Sequence, residues 1–445
     1  MRIGSALNSS TQKCLLVFLW LFPGVARAVP SFAEQTGQPC AACHVGAFGP
    51  QLTKFGRDFK LNGYTASDGK KHGVPLAVST QLSFTHTNNP QPGPAARHFA
   101  SNDNFVIDQT SFYYAGRIAP GFGGFLQVTY GGVAQQLQID NMDIRYAHDS
   151  ELFGEDLIYG FTVNNSPTVS DLWNSTPVWG FPYNHSPLAP SPIAAALIDG
   201  GLGQRVAGVG AYAMWNDLVY VEFDVYRGLG YDVLNATGQV PVANTDKTQG
   251  AIPYWRLALQ KNLGRQYVQF GTYGLSGSVL PGGVAIPGHA DRFTDLALDA
   301  NYQFTFNPKS VVSDMISAHA TFIHEDARLG ASQIIGGAQP FHGLDTFRAD
   351  VSYSFGATVT PSIQYFKTNG SNDAAYWRTP NGRPDSSGMI AEIAYVPWGK
   401  PDSFITWGNV RLAVQYISYF RFDGVTNNAG ANNALYFSVW GAAHF

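Results

Sequence analysis

Charged residues are scarce in this chain of 445 residues, and so are cysteine and methionine. Asp, Glu, Lys and Arg make up 13% of the sequence, whereas 48 residues are glycine and 14% are aromatic; soluble domains usually have about 25% charged residues. Beyond residue 30 there is no apolar run long enough for a membrane-spanning helix, which needs about 20 residues. The formal net charge of -4 gives no reason to expect a nucleic-acid partner. This composition favours an all-β protein with one apolar and one polar face.

The first 28 residues have the features of a secretory signal peptide. A basic start precedes the apolar stretch 14–22, and small residues lead to an exit site at Ala28. The apolar stretch is too short to serve as a membrane anchor. We expect cleavage after Ala28, which would also remove Cys14, one of the three cysteines.

The two remaining cysteines, Cys40 and Cys43, form a Cys-x-x-Cys-His motif with His44. This motif is the attachment signature of c-type haem. Two thiols at this spacing form thioethers to the haem vinyl groups, and the adjoining imidazole binds the iron as proximal ligand. A redox disulfide would not need His44, and a zinc site would need more Cys or His ligands than lie nearby. The sequence therefore predicts one covalent haem c, with the disulfide as the alternative.

Residues 29–75 are predicted to form a small α-helical monohaem domain around this motif. Apolar residues after the motif recur at helical spacing and form a face suited to cover a porphyrin: Leu52, Phe55 and Phe59. A chain this short rarely folds without a crosslink or a bound cofactor, and the covalent haem would fill that role. The distal iron ligand stays open: His72 is the other histidine of the segment, and a group from the rest of the chain, water or an open position are the alternatives.

The remaining residues, 76–445, consist of short segments in which apolar and polar residues alternate. In 346–355, Phe347 and Val351 share one face, and Arg348 and Asp350 share the other. A period of two indicates β-strands. Segments of about ten residues with one apolar face are typical of outer-membrane barrels. Sixteen strands are predicted, near 76–87, 104–118, 122–131, 135–147, 156–164, 205–215, 217–228, 252–262, 265–277, 294–306, 311–324, 346–355, 358–367, 389–396, 406–419 and 433–445.

The connections between these segments also favour a transmembrane antiparallel β-barrel of about sixteen strands. From the sixth strand onward, tight turns such as 263–264, 307–309 and 356–357 alternate with long connections rich in Gly, Asn and Pro. A phase slip between Ile139 and Met142 predicts a β-bulge. The chain ends on an aromatic residue, Phe445, which resembles the signal that outer-membrane assembly machinery recognises.

Two further features concern the interior of the predicted barrel. The longest connection, 165–204, is compatible with an inward constriction loop and equally with an extracellular cap. Met315 and His319 share the inward face of the eleventh strand, where either could meet the haem. The other polar side chains predicted to face inward are Glu222, Asp224, Arg256, Asp295, Asp299, Arg348, Asp350, Glu392 and Arg411. Their acidic excess would favour a cation.

Taken together, the chain resembles the fused outer-membrane cytochrome–porins of iron-oxidising bacteria. The most specific part of the resemblance is 30–44, followed by Phe55-Gly56-Arg57 and Gly63-Tyr64, whereas the barrel portion resembles the family by pattern only. The resemblance implies that Cys40 and Cys43 hold the haem and that His44 ligates its iron. It implies electron transfer from extracellular Fe(II) to a periplasmic carrier across the outer membrane of a Gram-negative bacterium. It supplies no distal ligand and no iron-oxidation site.

Three functional hypotheses follow from the sequence. The first is an electron conduit with extracellular Fe(II) as donor, which would make the protein a Fe(II)-oxidising cytochrome. The second is a conduit for another extracellular donor or acceptor. The third is a solute channel in which the haem domain is a plug or a redox gate. The oligomeric state is left open by all three.

Overall fold

The computed structural model describes residues 31–239 and 246–444. The predicted signal peptide, residues 1–28, lies outside these residues, and so does the terminal Phe445. No helix in the described part of the chain is both long enough and apolar enough to cross a membrane.

The described residues from Leu76 onward form one closed antiparallel sheet. Each strand pairs with the next along the chain, and the last strand closes the barrel against the first, from Ala77 opposite His444 to Thr87 opposite Ala434. The strands are β1 (Leu76–Thr87), β2 (Asn104–Ala119), β3 (Phe122–Gly131), β4 (Gln136–Leu152), β5 (Glu155–Asn164), β6 (Val206–Trp215), β7 (Val219–Gly228), β8 (Lys247–Gln249), β9 (Ala251–Leu263), β10 (Gln266–Leu280), β11 (Asp291–Thr305), β12 (Met315–Leu329), β13 (Phe341–Ser354), β14 (Val359–Gly370), β15 (Ser386–Tyr395), β16 (Gly408–Arg421) and β17 (Ala434–His444).

The barrel has sixteen strands, because β8 and β9 are two parts of one strand. Both pair with β10, and they are separated by Gly250, whose φ of +77° interrupts the extended backbone. The predicted number of strands is therefore confirmed. The predicted bulge is confirmed as well, since Leu126 pairs with Met142 while Val128 pairs with Ile139.

Apolar side chains lie on the outer face of the barrel and polar side chains on the inner face. On β7, Val221 and Phe223 are 46% and 54% exposed, whereas the neighbouring Glu222 and Asp224 are buried. This inverts the usual distribution in a soluble domain, where carboxylates are almost never buried. It matches a barrel with an apolar outer band and a polar interior. The predicted inward positions are confirmed, since these carboxylates and the predicted arginines lie on the inner wall.

Connections at one end of the barrel are mostly short, and those at the other end are mostly long. The short end, which we call the turn end, includes 120–121, 153–154, 216–218 and 264–265. The opposite end, the loop end, carries the long connections predicted from sequence, although the connection 132–135 there is also short.

Two connections at the turn end differ from the prediction. The predicted turn 307–309 is the centre of a longer connection, 306–314, so that the strand expected from residue 311 begins at Met315. Hydrogen bonds within this connection hold it together, from Phe306 N to Asp314 O (3.1 Å) and from Asn307 N to the Ser313 hydroxyl (2.8 Å). The second is 396–407, which lies against the segment that precedes the barrel.

Short helices occur in that preceding segment and in the long connections. They are α1 (Ser31–Thr36), α2 (Cys40–Cys43), α3 (Lys54–Leu61), α4 (Tyr231–Ala236), α5 (Gly330–Gly336) and α6 (Ala374–Trp377). The first three belong to residues 31–75, which we call the N-terminal segment. Its helical character agrees with the sequence prediction.

Candidate functional site

The N-terminal segment lies within the turn end of the barrel. Side chains from three well-separated strands donate hydrogen bonds to its backbone carbonyls. Asn409 of β16 donates to Ala47 O (2.8 Å), Gln303 of β11 to Leu52 O (2.9 Å) and Tyr212 of β6 to Leu61 O (2.9 Å). The inner wall therefore surrounds the segment and fixes its backbone.

The two cysteines of the motif occupy the ends of one helical turn, α2. Residues three apart on a helix share a face, so the spacing brings both thiols to the same side. Both thiols are free, and burial raises the pKa of Cys40 to about 11 and that of Cys43 to about 12. The chain leaves the helix at His44 in an extended conformation and forms an isolated β-bridge with Leu52.

Helix α3 packs directly across the motif because Gly56 has no side chain. A Cβ atom at this position would lie 2.3 Å from the carbonyl oxygen of Cys43, a distance that no real Cβ contact reaches. The helix is positioned by its N-cap, Thr53, whose hydroxyl accepts a hydrogen bond from Gly56 N (3.3 Å) and donates one to Ala42 O. Thr53 and Gly56 therefore set the distance between α3 and the cysteines.

The imidazole of His44 is buried, and backbone groups of Gly49 and Gln51 interact with it. Its Nδ1 forms no hydrogen bond of good geometry with any described residue. Burial lowers the pKa of His44 to about 4, which keeps the ring neutral at ordinary pH. A neutral imidazole with a free nitrogen is the form that binds metals.

A cavity of about 490 Å³ lies beside this histidine, between the N-terminal segment and the turn end of the barrel. This volume falls within the range of about 300–1,000 Å³ that is usual for cofactor sites. The N-terminal segment contributes His44 and Phe55 to its lining, and the barrel contributes Tyr267 and Met315. Two cations, Arg265 and Lys309, also line the cavity and form no ion pair with any described residue.

These features together fit a c-type haem. Two free thiols lie one helical turn apart, and the imidazole that follows them lines a cavity of suitable size. The thiols themselves do not line it, since Cys40 packs against Ala357 and Val396. Met315 carries a thioether, the group that accompanies histidine as axial ligand in many cytochromes c. Arg265 and Lys309 are suited to neutralise carboxylates such as the haem propionates.

The other predicted ligand candidates do not line this cavity. The His72 ring is paired with Asp68 (Nε2 to Oδ1, 2.7 Å) and lies 3.7 Å from a carboxylate oxygen of Glu34. His319 is paired with Asp350 (2.9 Å) and lines a separate cavity of about 20 Å³. The structure thus brings Met315 and His44 to one cavity, and brings neither His72 nor His319 there.

The aromatic residues predicted to cover the porphyrin lie in two different places. Phe55 lines the cavity. Phe59 instead packs against Phe32, with ring centroids 5.0 Å apart, and both rings contact Tyr64. That aromatic cluster anchors the N-terminal segment, since the Tyr64 hydroxyl donates to Asp143 of β4 (2.7 Å).

The connection 165–205 folds into the barrel, which decides between the two alternatives that the sequence left open. We call it the inner loop. Its backbone amides at Leu197 and Ile198 donate to the inward carboxylates Glu325 and Asp295, each at 2.6 Å. Its Asp199 forms an ion pair with Arg348. The inner loop is therefore bonded to the polar inner wall.

The inner loop and the N-terminal segment also contact each other. Lys60 of α3 donates to Val169 O (2.8 Å) and Asp171 O (2.6 Å), and Asn174 donates to Pro50 O (2.8 Å). Burial lowers the pKa of Lys60 to about 7. Sequence reasoning missed Lys60, because a lone lysine on a short helix gives no signal that a distant loop will cover it.

Comparison with known proteins supports the fold and gives no family. No family model matches this chain, and no curated protein matches it. Among solved structures, OprB of Pseudomonas putida matches with a TM-score of 0.53 and 13% identity, over 83% of this chain and 93% of that chain. An anion-selective porin from Comamonas acidovorans matches with a TM-score of 0.45 and 12% identity, over 83% of this chain and 99% of that chain. The chain therefore has the closed sixteen-strand barrel fold of outer-membrane porins, as its own topology and the likeness to OprB show.

Proposed function

We propose that this protein is exported, inserts into the outer membrane of a Gram-negative bacterium and carries electrons across it through one covalent haem c. The apolar outer band would contact lipid, and the turn end would face the periplasm, as short connections do in bacterial barrels. The single observation that carries the proposal is the position of the Cys40-x-x-Cys43-His44 motif inside the barrel, where His44 lines a cavity of about 490 Å³.

Each residue of the site has a definite role in this proposal. Cys40 and Cys43 would attach the haem covalently, and His44 would ligate its iron. Met315 would be a second ligand, because it lines the same cavity as His44 and carries a thioether. Arg265 and Lys309 bind the propionates. When bound, the haem supplies a centre that accepts and releases one electron.

Extracellular Fe(II) is the donor that we propose. Each Fe(II) would be oxidised to Fe(III) and give one electron, which would leave through a soluble carrier in the periplasm. The resemblance to cytochrome–porins of iron oxidisers supports this donor. Two buried carboxylates of the inner wall, Glu222 and Asp224, form no ion pair with a described residue and also favour a cation in the barrel.

The test is to produce the protein with a haem-maturation system and follow its absorbance when Fe(II) is added to intact cells. We expect pigment that stays attached after denaturation and is reduced by external Fe(II). The double variant Cys40→Ser/Cys43→Ser should fold as a barrel without attached pigment. Wild-type protein without pigment would reject the cofactor, whereas pigment that external Fe(II) does not reduce would reject only the donor. A strongly negative midpoint potential would instead favour a conduit for another donor or acceptor.

A solute channel is the second candidate, and the barrel fold shared with OprB favours it. Against it stands the packing of the inner loop across the lumen. The cavity between Phe181 of this loop and the wall residues His319 and Asp350 measures about 20 Å³, room for about one water molecule. Stepwise conductance of the wild-type protein in planar bilayers would support the channel.

A further inference from the structure

The hairpin formed by β4 and β5 projects beyond its neighbours at the turn end. On the β3 side, the turn 120–121 lies beside Ala147 of β4, because the Ala147 amide donates to Gly121 O (2.9 Å). On the other side the turn 216–218 is level with Asp156, whose carbonyl accepts from Asn216 N (2.7 Å). All residues from 148 to 156 are exposed. The hairpin therefore extends past the turn on its β3 side by residues 148–152, whereas on its β6 side only Leu152, the turn 153–154 and Glu155 lie beyond the neighbouring turn.

The tip carries an aromatic side chain in a conformation that aromatic residues rarely adopt. Phe153 has a φ of +57° and is 88% exposed, and Gly154 follows with a φ of +79°. Two-residue hairpin turns with both φ values positive usually have Asn or Asp at the first position. A bulky residue there is strained and gains nothing from burial. Aromatic side chains are enriched in protein interfaces, so a contact made outside this chain explains its presence.

The flanks of the hairpin carry only acidic charge besides His148. Four carboxylates, none of which forms an ion pair with a described residue, surround the tip: Asp149, Glu151, Glu155 and Asp156. Trp215 of the next hairpin supports this part of the chain by donating to Leu152 O (3.1 Å). A protein with a basic surface would be attracted to such a cluster.

The acidic surface continues from the hairpin to the edge of the cavity. Asp217 lies in the adjacent turn, 3.8 Å from Lys54, and Lys54 forms a second ion pair with Asp58 (2.8 Å). Lys54 and Asp58 both line the cavity beside His44. Lys54 is shared between these two carboxylates. A partner bound at the hairpin would therefore lie at the same end of the barrel as the cavity that Lys54 and Asp58 line.

We propose that the β4–β5 hairpin is the docking site for a soluble electron carrier whose own redox centre is surrounded by lysines. This inference rests on the proposed function, because it assigns the surface through which the electron leaves. Opposite charges accelerate encounter more than they strengthen binding, which suits a carrier that must bind and leave at each turnover. Phe153 would provide the apolar contact at the centre of a small interface.

The experiment measures how fast the reduced, detergent-solubilised holoprotein reduces a basic mitochondrial cytochrome c, which serves as the probe carrier. One electron passes from haem to haem and no proton is needed. In the wild type we expect the second-order rate to fall steeply as salt is added. The variant Asp149→Asn/Glu151→Gln/Glu155→Gln/Asp156→Asn should lose about tenfold at low salt, together with most of the salt dependence. Phe153→Asn should slow transfer and leave the salt dependence intact.

The matched control neutralises exposed carboxylates at the opposite end of the barrel, in Asp103→Asn/Asp326→Asn/Asp345→Asn. This variant should reduce the probe at the wild-type rate. If the hairpin variant and the control behave alike while the pigment is still reduced by Fe(II), the docking site is wrong and the proposed function stands. If the wild-type protein carries no pigment, the proposed function itself fails.

Discussion

The N-terminal segment and the inner loop both lie within the barrel, yet the space that they leave is different. Beside the N-terminal segment there is a cavity of about 490 Å³, whereas the cavity between the inner loop and the wall at His319 is about 20 Å³. The first is large enough for a cofactor, and the second holds about one water molecule. The N-terminal segment thus leaves room for the cofactor that we propose, whereas the inner loop packs closely against the wall at His319.

The inner wall donates hydrogen bonds to backbone carbonyls of both segments, and it also accepts them from backbone amides of the inner loop. Wall side chains such as Asn409 and Gln303 donate to carbonyls of the N-terminal segment. For the inner loop the wall also supplies acceptors, since Glu325 and Asp295 accept from backbone amides. A polar barrel interior can therefore fix irregular backbone, because it supplies acceptors for the backbone amides and donors for the backbone carbonyls.

The largest effect is expected from removal of the inner loop. Replacing residues 172–187 by a short Gly-Ser linker removes the chain that crosses the lumen and leaves the strand pairing intact. Stepwise conductance should appear in planar bilayers, where we expect none from the wild type, while attached pigment should persist. Shortening the exposed connection 281–290 is the control and should produce no steps. If the loop variant gives no conductance steps either, the N-terminal segment closes the lumen by itself.

A second variant tests whether the N-terminal segment needs its close helix packing. Gly56→Ala places a Cβ 2.3 Å from Cys43 O and 3.0 Å from the Leu52 side chain. Overpacking of this kind costs about 1–3 kcal/mol. We expect a smaller fraction of protein with attached pigment and faster proteolysis of residues 31–75. Gly73→Ala is the matched control, because no atom lies within 4 Å of a Cβ at that position. Equal pigment in both variants would argue against the role of Gly56.

A third variant tests the axial ligand. Met315→Leu keeps the size of the side chain and removes the thioether. Because a methionine ligand raises the potential of a histidine-ligated haem, we expect the midpoint potential to fall by about 0.1 V, within the roughly 0.8 V that axial ligands span. The absorption bands that depend on axial ligation should change as well. His72→Gln and His319→Gln should have no effect on either quantity. If the midpoint potential shifts in His72→Gln and not in Met315→Leu, the distal ligand is His72 and not Met315.

The smallest effect concerns the contact between the two segments. Burial lowers the pKa of Lys60 from 10.5 to about 7, so the unfolded chain binds the extra proton between these two pH values. Stability of this contact should therefore rise as pH increases from about 7 to 10.5, and be lost as pH falls through 7. The protection of the inner-loop amides, that is, their exchange rate relative to the intrinsic rate at each pH, should increase over this range by at most a few-fold. In Lys60→Met the exchange should follow only the intrinsic pH dependence of the amides; the same pH response as the wild type would assign it to another group.

Much of the barrel could be predicted because its strands follow a simple rule. Side chains that alternate between lipid and a polar interior repeat with a period of two, so Glu222 and Asp224 could be assigned to the inner face without a structure. Strand ends were less certain. Residues 311–314 alternate well enough to resemble a strand, but hydrogen bonds to Asn307 and Phe306 hold them in the connection.

The candidate site could be predicted only where its residues adjoin in sequence. Cys40, Cys43 and His44 form one motif, and thioether chemistry fixes their spacing. Met315 comes from a strand far along the chain. The alternation of polar and apolar residues in that strand predicts that Met315 faces the interior, but it does not predict how far along the barrel axis Met315 lies. The sequence therefore left Met315, His319 and His72 all open as candidates for the distal ligand. The structure separates the three, since Met315 alone of them lines the cavity beside His44.

The sequence by itself determined the barrel, its sixteen strands and the cysteine–histidine motif, because each depends on periodicity or spacing within a few residues. The tertiary structure decided that the connection 165–205 turns inward, where the motif lies and which surfaces surround its cavity. These are consequences of hydrogen bonds between residues more than a hundred positions apart, such as Lys60 with Val169 and Asn409 with Ala47. Local sequence carries no record of such partners, since donors and acceptors of the same kind occur all along the inner wall.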